Sequence, residues 1–397
     1  MKVKARKGDS LAYYASLFHI PVELLVDSNP QLDPDHLEAD EMVEVPGFIK
    51  ETCVVREGDT LWGLSGERNI GVDALLLINE NSDPNEVETG VELFLPRRVV
   101  TPVVNGKQPY DSVRFQKDLI LLQELYPFIR VNAIGKSVLG KDLMECKIGR
   151  GAKKVHMNGA FHGNEWITSA VLMTFLNDYL LSLTNSKDLR GIPILPLYRT
   201  VSLSLVPMVN PDGVDLVLNG PPDGMAEELV RLNGGRVEFT GWKANIRGID
   251  LNKQFPARWE FEKRRMEVST PGPRDFTGNL PISEPESKAM EQLARKERFH
   301  RLVAVHTQGK EFYWGYEGLE SKESERLAGE IKRASGYASI RYVDSYAGFK
   351  DWFIQEFQQT GITLELGKGI NPLPLSQFDT IYRDTLGIYL IMLYKWW

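Results

Sequence analysis

The sequence predicts an α/β protein: a mostly parallel mixed sheet with helices on both faces, preceded by two small βααβ units. Three observations carry this reading. A block near the N-terminus recurs at an offset of fifty residues. Further on, short apolar runs bounded by polar residues alternate with helix-length stretches, the pattern of buried strands crossed by helices. Between the two regions lies Arg97 to Pro109, with Thr-Pro, Asn-Gly and Gln-Pro, which are loop signals.

The repeat is read from three matches at one offset. Gly8-Asp9-Ser10-Leu11 returns as Gly58-Asp59-Thr60-Leu61, Asn29 as Asn79, and Val45-Pro46 as Leu95-Pro96. A shared offset marks a repeated structural unit. In the second copy a short strand at Val54-Val55 runs into Gly-Asp-Thr, whose Asp and Thr are good N-cap residues. A helix from Leu61 to about Glu67 follows, then one from Val72 to Ile78 ending near Asn79. A polar turn, Ser82-Asp83-Pro84-Asn85, leads to a closing strand, Glu92 to Leu95, stopped by Pro96. The units are expected at 1–47 and 53–97, the linker at 98–109, and one large domain at 110–397.

In the large domain Asp111 to Tyr126 reads as an amphipathic helix ended by Pro127. Lys153 to Met157 reads as a strand, and Ile167 to Leu183 as an apolar helix. Val201 to Pro207, Arg301 to Val305 and Ile362 to Leu366 read as buried strands. Sites in such sheets form at the strand ends.

Composition narrows the function. The 397 residues exceed what one core usually serves. Net charge is −7, unevenly spread: residues 1–99 hold 9 Lys+Arg and 19 Asp+Glu, a net of −10, and the rest hold 38 and 35, a net of +3. An acidic front end excludes nucleic acid, whose phosphates demand a basic face. A polymer bound there should be recognised through neutral groups. No apolar run approaches 18 residues, so no membrane span is expected. Met1-Lys2-Val3-Lys4-Ala5-Arg6-Lys7-Gly8 is basic but has no apolar stretch behind it, so no signal peptide and a cytoplasmic location are expected. Cys53 and Cys146 lack metal-type spacing and read as buried thiols of a reducing compartment.

Two of the six histidines follow predicted strands. His162 and Glu165 stand three apart in Asn158-Gly159-Ala160-Phe161-His162-Gly163-Asn164-Glu165, at a loop-to-helix junction where both can face one point. His306 ends Val303-Ala304-Val305-His306. Two His and one Glu make a catalytic zinc set with the fourth position open. Further motifs are Asn210-Pro211-Asp212-Gly213, read as turn chemistry; Gly248-Ile249-Asp250-Leu251-Asn252; Ser283-Glu284-Pro285-Glu286, read as a capping box with Ser as the cap; and Thr363-Leu364-Glu365-Leu366-Gly367.

In this order and spacing, from about Tyr110 onward, the chain resembles the zinc carboxypeptidases of the A and B kind. The resemblance implies a carboxypeptidase-like fold and one zinc held by His162, Glu165 and His306, with Glu365 as general base. It implies an Arg as oxyanion stabiliser, for which Arg247 is the candidate and Asn245 the alternative, and a Tyr upstream of Asp351-Trp352, with Tyr346 favoured over Tyr342. The repeated unit resembles the LysM domain through Gly-Asp-Thr-Leu-Trp, the Asn ending the second helix and the final Leu-Phe-Leu-Pro. LysM domains bind N-acetylglucosamine polymers, so glycan is the implied partner.

Carboxypeptidases anchor a substrate C-terminus with an Asn-Arg pair. Here the pair is Asn252-Lys253, and Lys lacks the planar fork that Arg offers a carboxylate. With two LysM units in front, the combination resembles the γ-D-glutamyl-L-diamino acid endopeptidases of spore-forming bacteria, whose Trp-Lys-Ala-Asn-x-Arg-Gly-x-Asp-Leu-Asn stretch stands at Trp242 to Asn252. The implied substrate is a peptidoglycan stem or muropeptide, in a sporulating cell. The alternatives are a carboxypeptidase removing C-terminal residues and a non-catalytic wall-binding protein.

Overall fold

The computed structural model describes residues 1–79 and 87–396; the expected turn at Ser82 to Asn85 lies outside them. The chain divides into two compact units. One comprises Met1–Val103, Asp118–Arg130 and Asn177–Leu195. The other comprises Val104–Lys117, Val131–Leu176 and Pro196–Trp397.

In the first unit, β1 (Lys2–Lys4), α1 (Leu11–Leu17), α2 (Val22–Ser28) and β2 (Met42–Glu44) are followed by β3 (Phe48–Val54), α3 (Leu61–Glu67), α4 (Val72–Ile78) and β4 (Glu92–Arg98). Each set makes its own two-stranded antiparallel sheet, β1 with β2 and β3 with β4. The fifty-residue identities have local causes. Ser10 and Thr60 stand in extended backbone and accept from the amides of Tyr13 and Gly63 at 3.2 and 3.0 Å, the N-cap bond that starts each first helix. Asn29 donates to Leu25 O and Glu44 O and accepts from Glu44 N; Asn79 does the same with Leu75 and Phe94. One buried amide thus ties each second helix to its closing strand, a role that needs a donor and an acceptor on one short side chain, as Asn provides.

The repeats share one hydrophobic cluster, running from Val3, Leu11 and Phe18 through Leu61, Leu75 and Leu95. Arg6 and Tyr13 of the first copy both bond the Asp73 carboxylate of the second. A unit of under fifty residues buries little alone, and a joint core answers that shortage. Trp62 stays 63% exposed.

The eight-stranded sheet follows from α5 (Ser112–Leu125), β5 (Arg130–Lys136), β6 (Asp142–Ile148), β7 (Lys153–Asn158), α6 (Ile167–Thr184), β8 (Val201–Val206), α7 (Pro211–Asn219), α8 (Pro285–Glu297), β9 (Arg301–Thr307), β10 (Glu311–Tyr313), α9 (Lys322–Ser335), β11 (Ala338–Ile340), α10 (Phe349–Phe357), β12 (Thr360–Leu366) and α11 (Phe378–Tyr394). Its order is β11-β10-β12-β9-β7-β8-β6-β5. The four central strands, β12, β9, β7 and β8, are parallel. β8 and β9 are buried along their whole length, as central strands covered on both faces must be. The core beside the site gathers Phe161, Phe255, Phe349, Trp352 and Leu302. One described helix, Gly163–Thr184, is apolar and long enough to cross a membrane by composition, though no strictly apolar run of that length exists; 83% of its most apolar 18-residue window is buried inside the protein.

Two local expectations are corrected. Helix α8 is capped by Glu284, with Pro285 in its first turn and no side-chain cap bond. Ser283 is diverted, its hydroxyl donating to Gln254 Oε1 at 3.0 Å, and Glu286 accepts from Val138 N at 3.0 Å. Asp212 and Gly213 lie in the first turn of α7 rather than in a free turn; Asn210 caps that helix by accepting from Gly213 N at 2.9 Å. Of the two thiols, Cys146 is buried and Cys53 half-buried.

Candidate metal centre

The loop after β7 carries His162 and Glu165, and packing fixes its path. Gly163 lies so close to Gly213 that a Cβ would come within 2.5 Å of the Gly213 carbonyl oxygen. Its amide donates to Lys243 O at 3.0 Å. Thr168 Oγ donates to Glu165 O and accepts from Ala160 N, both at 2.7 Å, so the loop is tied to the helix it enters. Asn210 donates to Phe161 O and Ala244 O, pinning this loop to the 240s segment.

His306 arrives from the end of β9, and strand register sets its neighbour: His306 pairs with Glu365 across the parallel β9–β12 ladder. His162 Nδ1 lies 2.9 Å from Glu165 Oε1. His306 Nδ1 lies 2.9 Å from Glu165 Oε2 and 3.2 Å from His162 Nδ1. All three residues are buried. Among the described residues they are the one group of His, Cys, Asp and Glu placed to hold an ion, with ligand atoms within 4.8 Å of one another. Burial pushes the Glu165 carboxyl up, but the two imidazoles outweigh it and hold it at about 2, so it is ionised. Glu165 also accepts from Thr307 N at 3.3 Å.

Residues 116–387 match the model of the zinc carboxypeptidase family, and residues 3–46 and 53–96 each match the LysM domain. The chain belongs to the zinc carboxypeptidase family. It is 47% identical over 396 residues to γ-D-glutamyl-L-diamino acid endopeptidase 1 of Lysinibacillus sphaericus, a match covering 99% of this chain and 100% of that one. Its fold is shared with the carboxypeptidase A of Helicoverpa armigera (TM-score 0.55, 17% identity, 87% of this chain and 97% of that one). It is also shared with bovine thrombin-activatable fibrinolysis inhibitor (TM-score 0.56, 18% identity, 72% of this chain and 97% of that one).

As a zinc carboxypeptidase family member the chain takes Zn2+, and its donor set fits. A tetrahedral site with ligands near 2.0 Å has edges of about 3.3 Å, and the donor atoms here stand 2.9 to 3.2 Å apart. Two imidazole nitrogens and a carboxylate are a catalytic zinc set that leaves a position open. His162 is oriented from behind: its Nε2 lies 3.2 Å from Asp250 Oδ1, which leaves Nδ1 facing inward. Asp250 in turn lies 2.9 Å from Lys243 Nζ. The sequence places Lys243 in a segment that reaches the site but assigns Asp250 no role, although it stands in the quoted Gly248–Asn252 stretch.

A cavity of about 430 Å³ opens on the triad, lined by Glu365, Lys243, Asn252, Lys253, Arg265, Arg274, Asp275, Tyr313, Ser345 and Asn371 among others. Burial first, then the Glu165 carboxylate, hold the Glu365 carboxyl well above the usual range, with Lys243 pulling the other way. Four expected site residues are absent from the lining. Arg247 is 55% exposed and faces Glu284 at 3.5 Å. Asn245 is buried, donates to Glu284 at 2.8 Å and accepts from Ile249 N, so its amide is consumed by structure. Tyr346 lines a second cavity with Tyr316, Tyr342 and Asp351, edge-on to Phe261 and beneath the Arg258 guanidinium. Tyr342 donates to Glu320 at 3.2 Å. Asn252 and Lys253 do line the metal cavity. Lys253, however, donates to the buried Glu262 and, at 2.8 Å, to Ser345 Oγ.

Proposed function

We propose that this chain hydrolyses the γ-D-Glu–L-diamino acid bond of peptidoglycan stem peptides, held to its polymer by the LysM repeats. The end-to-end likeness to the Lysinibacillus sphaericus endopeptidase supports this reading. The observation that carries it is the state of Lys253. A carboxypeptidase presents an Arg fork at this place for the substrate C-terminus, and here stands a Lys whose ammonium is engaged by Glu262 and Ser345 at the cavity wall. The C-terminal-residue-removing alternative lacks the Arg that would anchor its substrate at this position.

Roles follow from placement. His162, Glu165 and His306 hold zinc, which when bound polarises the scissile carbonyl and acidifies a water. Glu365, whose carboxyl lines the same cavity as the three ligands, takes a proton from the attacking water and returns it to the leaving nitrogen. Lys243 replaces Arg247 as the buried cation for the developing oxyanion, being part of the cavity wall and linked through Asp250 to His162. Asn252 lines the cavity, and its Oδ1 accepts from Phe349 N at 3.0 Å. Residues 1–47 and 53–97 serve as glycan-binding modules and 110–397 as the catalytic domain. An acidic module suits a neutral amino sugar, and the unpaired thiols Cys53 and Cys146 fit a reducing compartment such as the interior of a sporulating cell.

The test is mass spectrometry of L-Ala-γ-D-Glu-diaminopimelate after digestion, beside α-linked peptides ending in Phe or Lys. Cleavage after D-Glu, with the α-linked peptides left intact, supports the reading. Release of single C-terminal residues from the α-linked peptides at a matching rate rejects it.

A further inference from the structure

The metal cavity carries four cations that differ in how firmly they are held. Lys253 and Arg265 converge on Glu262, a fully buried carboxylate that takes two guanidinium N–H donors from Arg265 at 2.7 and 2.9 Å. That acceptor is saturated and its cations are committed. Lys243 is 16% exposed and is fixed against Asp250.

Arg274 and Asp275 are different. Arg274 is 62% exposed, and its Nε lies 3.5 Å from Asp275 Oδ2. Asp275, 34% exposed, has its other oxygen 3.4 Å from Lys243 Nζ. Charge-assisted bonds run nearer 2.7–2.9 Å, so both contacts are loose and leave acceptor and donor capacity on each group. Their backbone, by contrast, is firmly placed. Pro273 O accepts from Lys243 N and Ala244 N at 2.8 and 3.0 Å, and Phe276 O accepts from Asp250 N at 2.8 Å. Asp275 itself sits at φ +67°, a left-handed conformation that a non-glycine residue adopts at a cost. A strained aspartate on a rigid loop, aimed at the cavity beside an open arginine, is a preformed anion–cation pair.

We infer that Arg274 and Asp275 read the distal end of the diamino acid, Asp275 taking its ammonium and Arg274 its carboxylate. This rests on the endopeptidase reading above. Meso-diaminopimelate ends in an ammonium and a carboxylate on one carbon, which matches an adjacent Asp and Arg. A lysine stem offers only the ammonium, and leaves Arg274 facing nothing. The arginine fork is suited to a carboxylate and gives direction as well as charge. The two residues therefore set a preference for diaminopimelate stems over lysine stems.

The experiment compares kcat/KM on L-Ala-γ-D-Glu-meso-diaminopimelate, the same stem with its distal carboxylate amidated, and L-Ala-γ-D-Glu-L-Lys. The zinc-loaded full chain should favour the first over the other two by about 10- to 100-fold, the worth of a hydrogen bond between charged groups. Arg274→Gln should collapse that ratio toward one, Arg274→Lys should keep part of it, and Asp275→Asn should slow all three stems. Zinc content and melting temperature are measured on each variant. The amidated stem tests Arg274 on the unaltered chain should a variant misfold. Equal rates on the free and amidated stems, or a ratio untouched by Arg274→Gln, overturn the inference while leaving γ-D-Glu cleavage standing. Absence of γ-D-Glu cleavage on all three stems overturns both, and product masses tell the two failures apart.

Discussion

Replacing Asp250 by Asn probes the link between fold and metal. Asp250 is fully buried, 3.2 Å from His162 Nε2 and 2.9 Å from Lys243 Nζ. Burial pushes its carboxyl up, but Lys243 and then His162 outweigh that and hold it well below the usual range. Asn keeps the shape and can still accept from Nε2–H, but it removes the charge. Loss of such an outer-shell carboxylate typically weakens metal binding or activity by about 10- to 100-fold. The same change leaves the Lys243 ammonium buried. Breaking a buried pair costs about 3–5 kcal/mol; with Asp275 still 3.4 Å away, the lower end applies. Zinc affinity is read by competition with a chromophoric chelator, and stability by urea unfolding of the zinc-loaded chain. Adding Lys243→Met to Asp250→Asn removes both charges, so stability should recover while zinc affinity does not. Zinc affinity within about twofold of wild type for Asp250→Asn refutes the claim that this carboxylate orients His162.

Three further outcomes are expected. Glu365→Gln should retain zinc, by metal analysis, while turnover falls by roughly 10²–10⁴, the usual worth of general acid–base catalysis; a variant keeping half its rate would show that another group takes the proton. Glu286 is fully buried, and burial first, then Asp212 and Glu284, raise its carboxyl to about 7. A raised carboxyl binds its proton more tightly in the folded state, so its stabilising effect is complete below the unfolded value near 4.5 and is lost as pH climbs through 7. At about 1.4 kcal/mol per pH unit this is roughly 3 kcal/mol. Glu286→Gln should therefore gain stability over wild type at pH 9 but not at pH 5, read by denaturant unfolding at both, and a gap independent of pH contradicts the assignment. Trp62→Ala should weaken pull-down on wall sacculi by about tenfold, from the indole surface it no longer buries. High salt should change that binding little, since the repeats are acidic.

Much of the fold was legible because its signals are local. The fifty-residue offset located both repeats, and the Asn29 and Asn79 amides show why that residue returns: each must donate and accept at once. The strands ending at Asn158, Thr307 and Leu366 follow from the short apolar runs expected to end at Met157, Val305 and Leu366. What the sequence did not display is the joint core of the two repeats and the Arg6–Asp73 contact. These depend on pairing surfaces whose complementarity appears in neither copy alone.

The candidate site divides along the same line. His162 and Glu165 share one short loop and His306 ends a strand, so spacing and strand ends pointed to the three ligands; Glu365, which meets His306 through strand register, was reached through the resemblance to the zinc carboxypeptidases. The cations needed more. Arg247 and Lys243 lie four residues apart on a segment without regular secondary structure, where no periodicity says which side chain faces inward. The choice is made by Pro273, thirty residues on, whose carbonyl accepts the Lys243 and Ala244 amides and presents Lys243 to the cavity. Arg247 is left to the buried Glu284, itself drawn in by Asn245. Tyr346 is likewise claimed by Phe261 and Arg258, from a helix some eighty residues earlier. A motif can thus name the metal set, because the metal's geometry constrains it. The groups that choose the substrate are set by which loops dock on that centre, and that choice is written across distant segments.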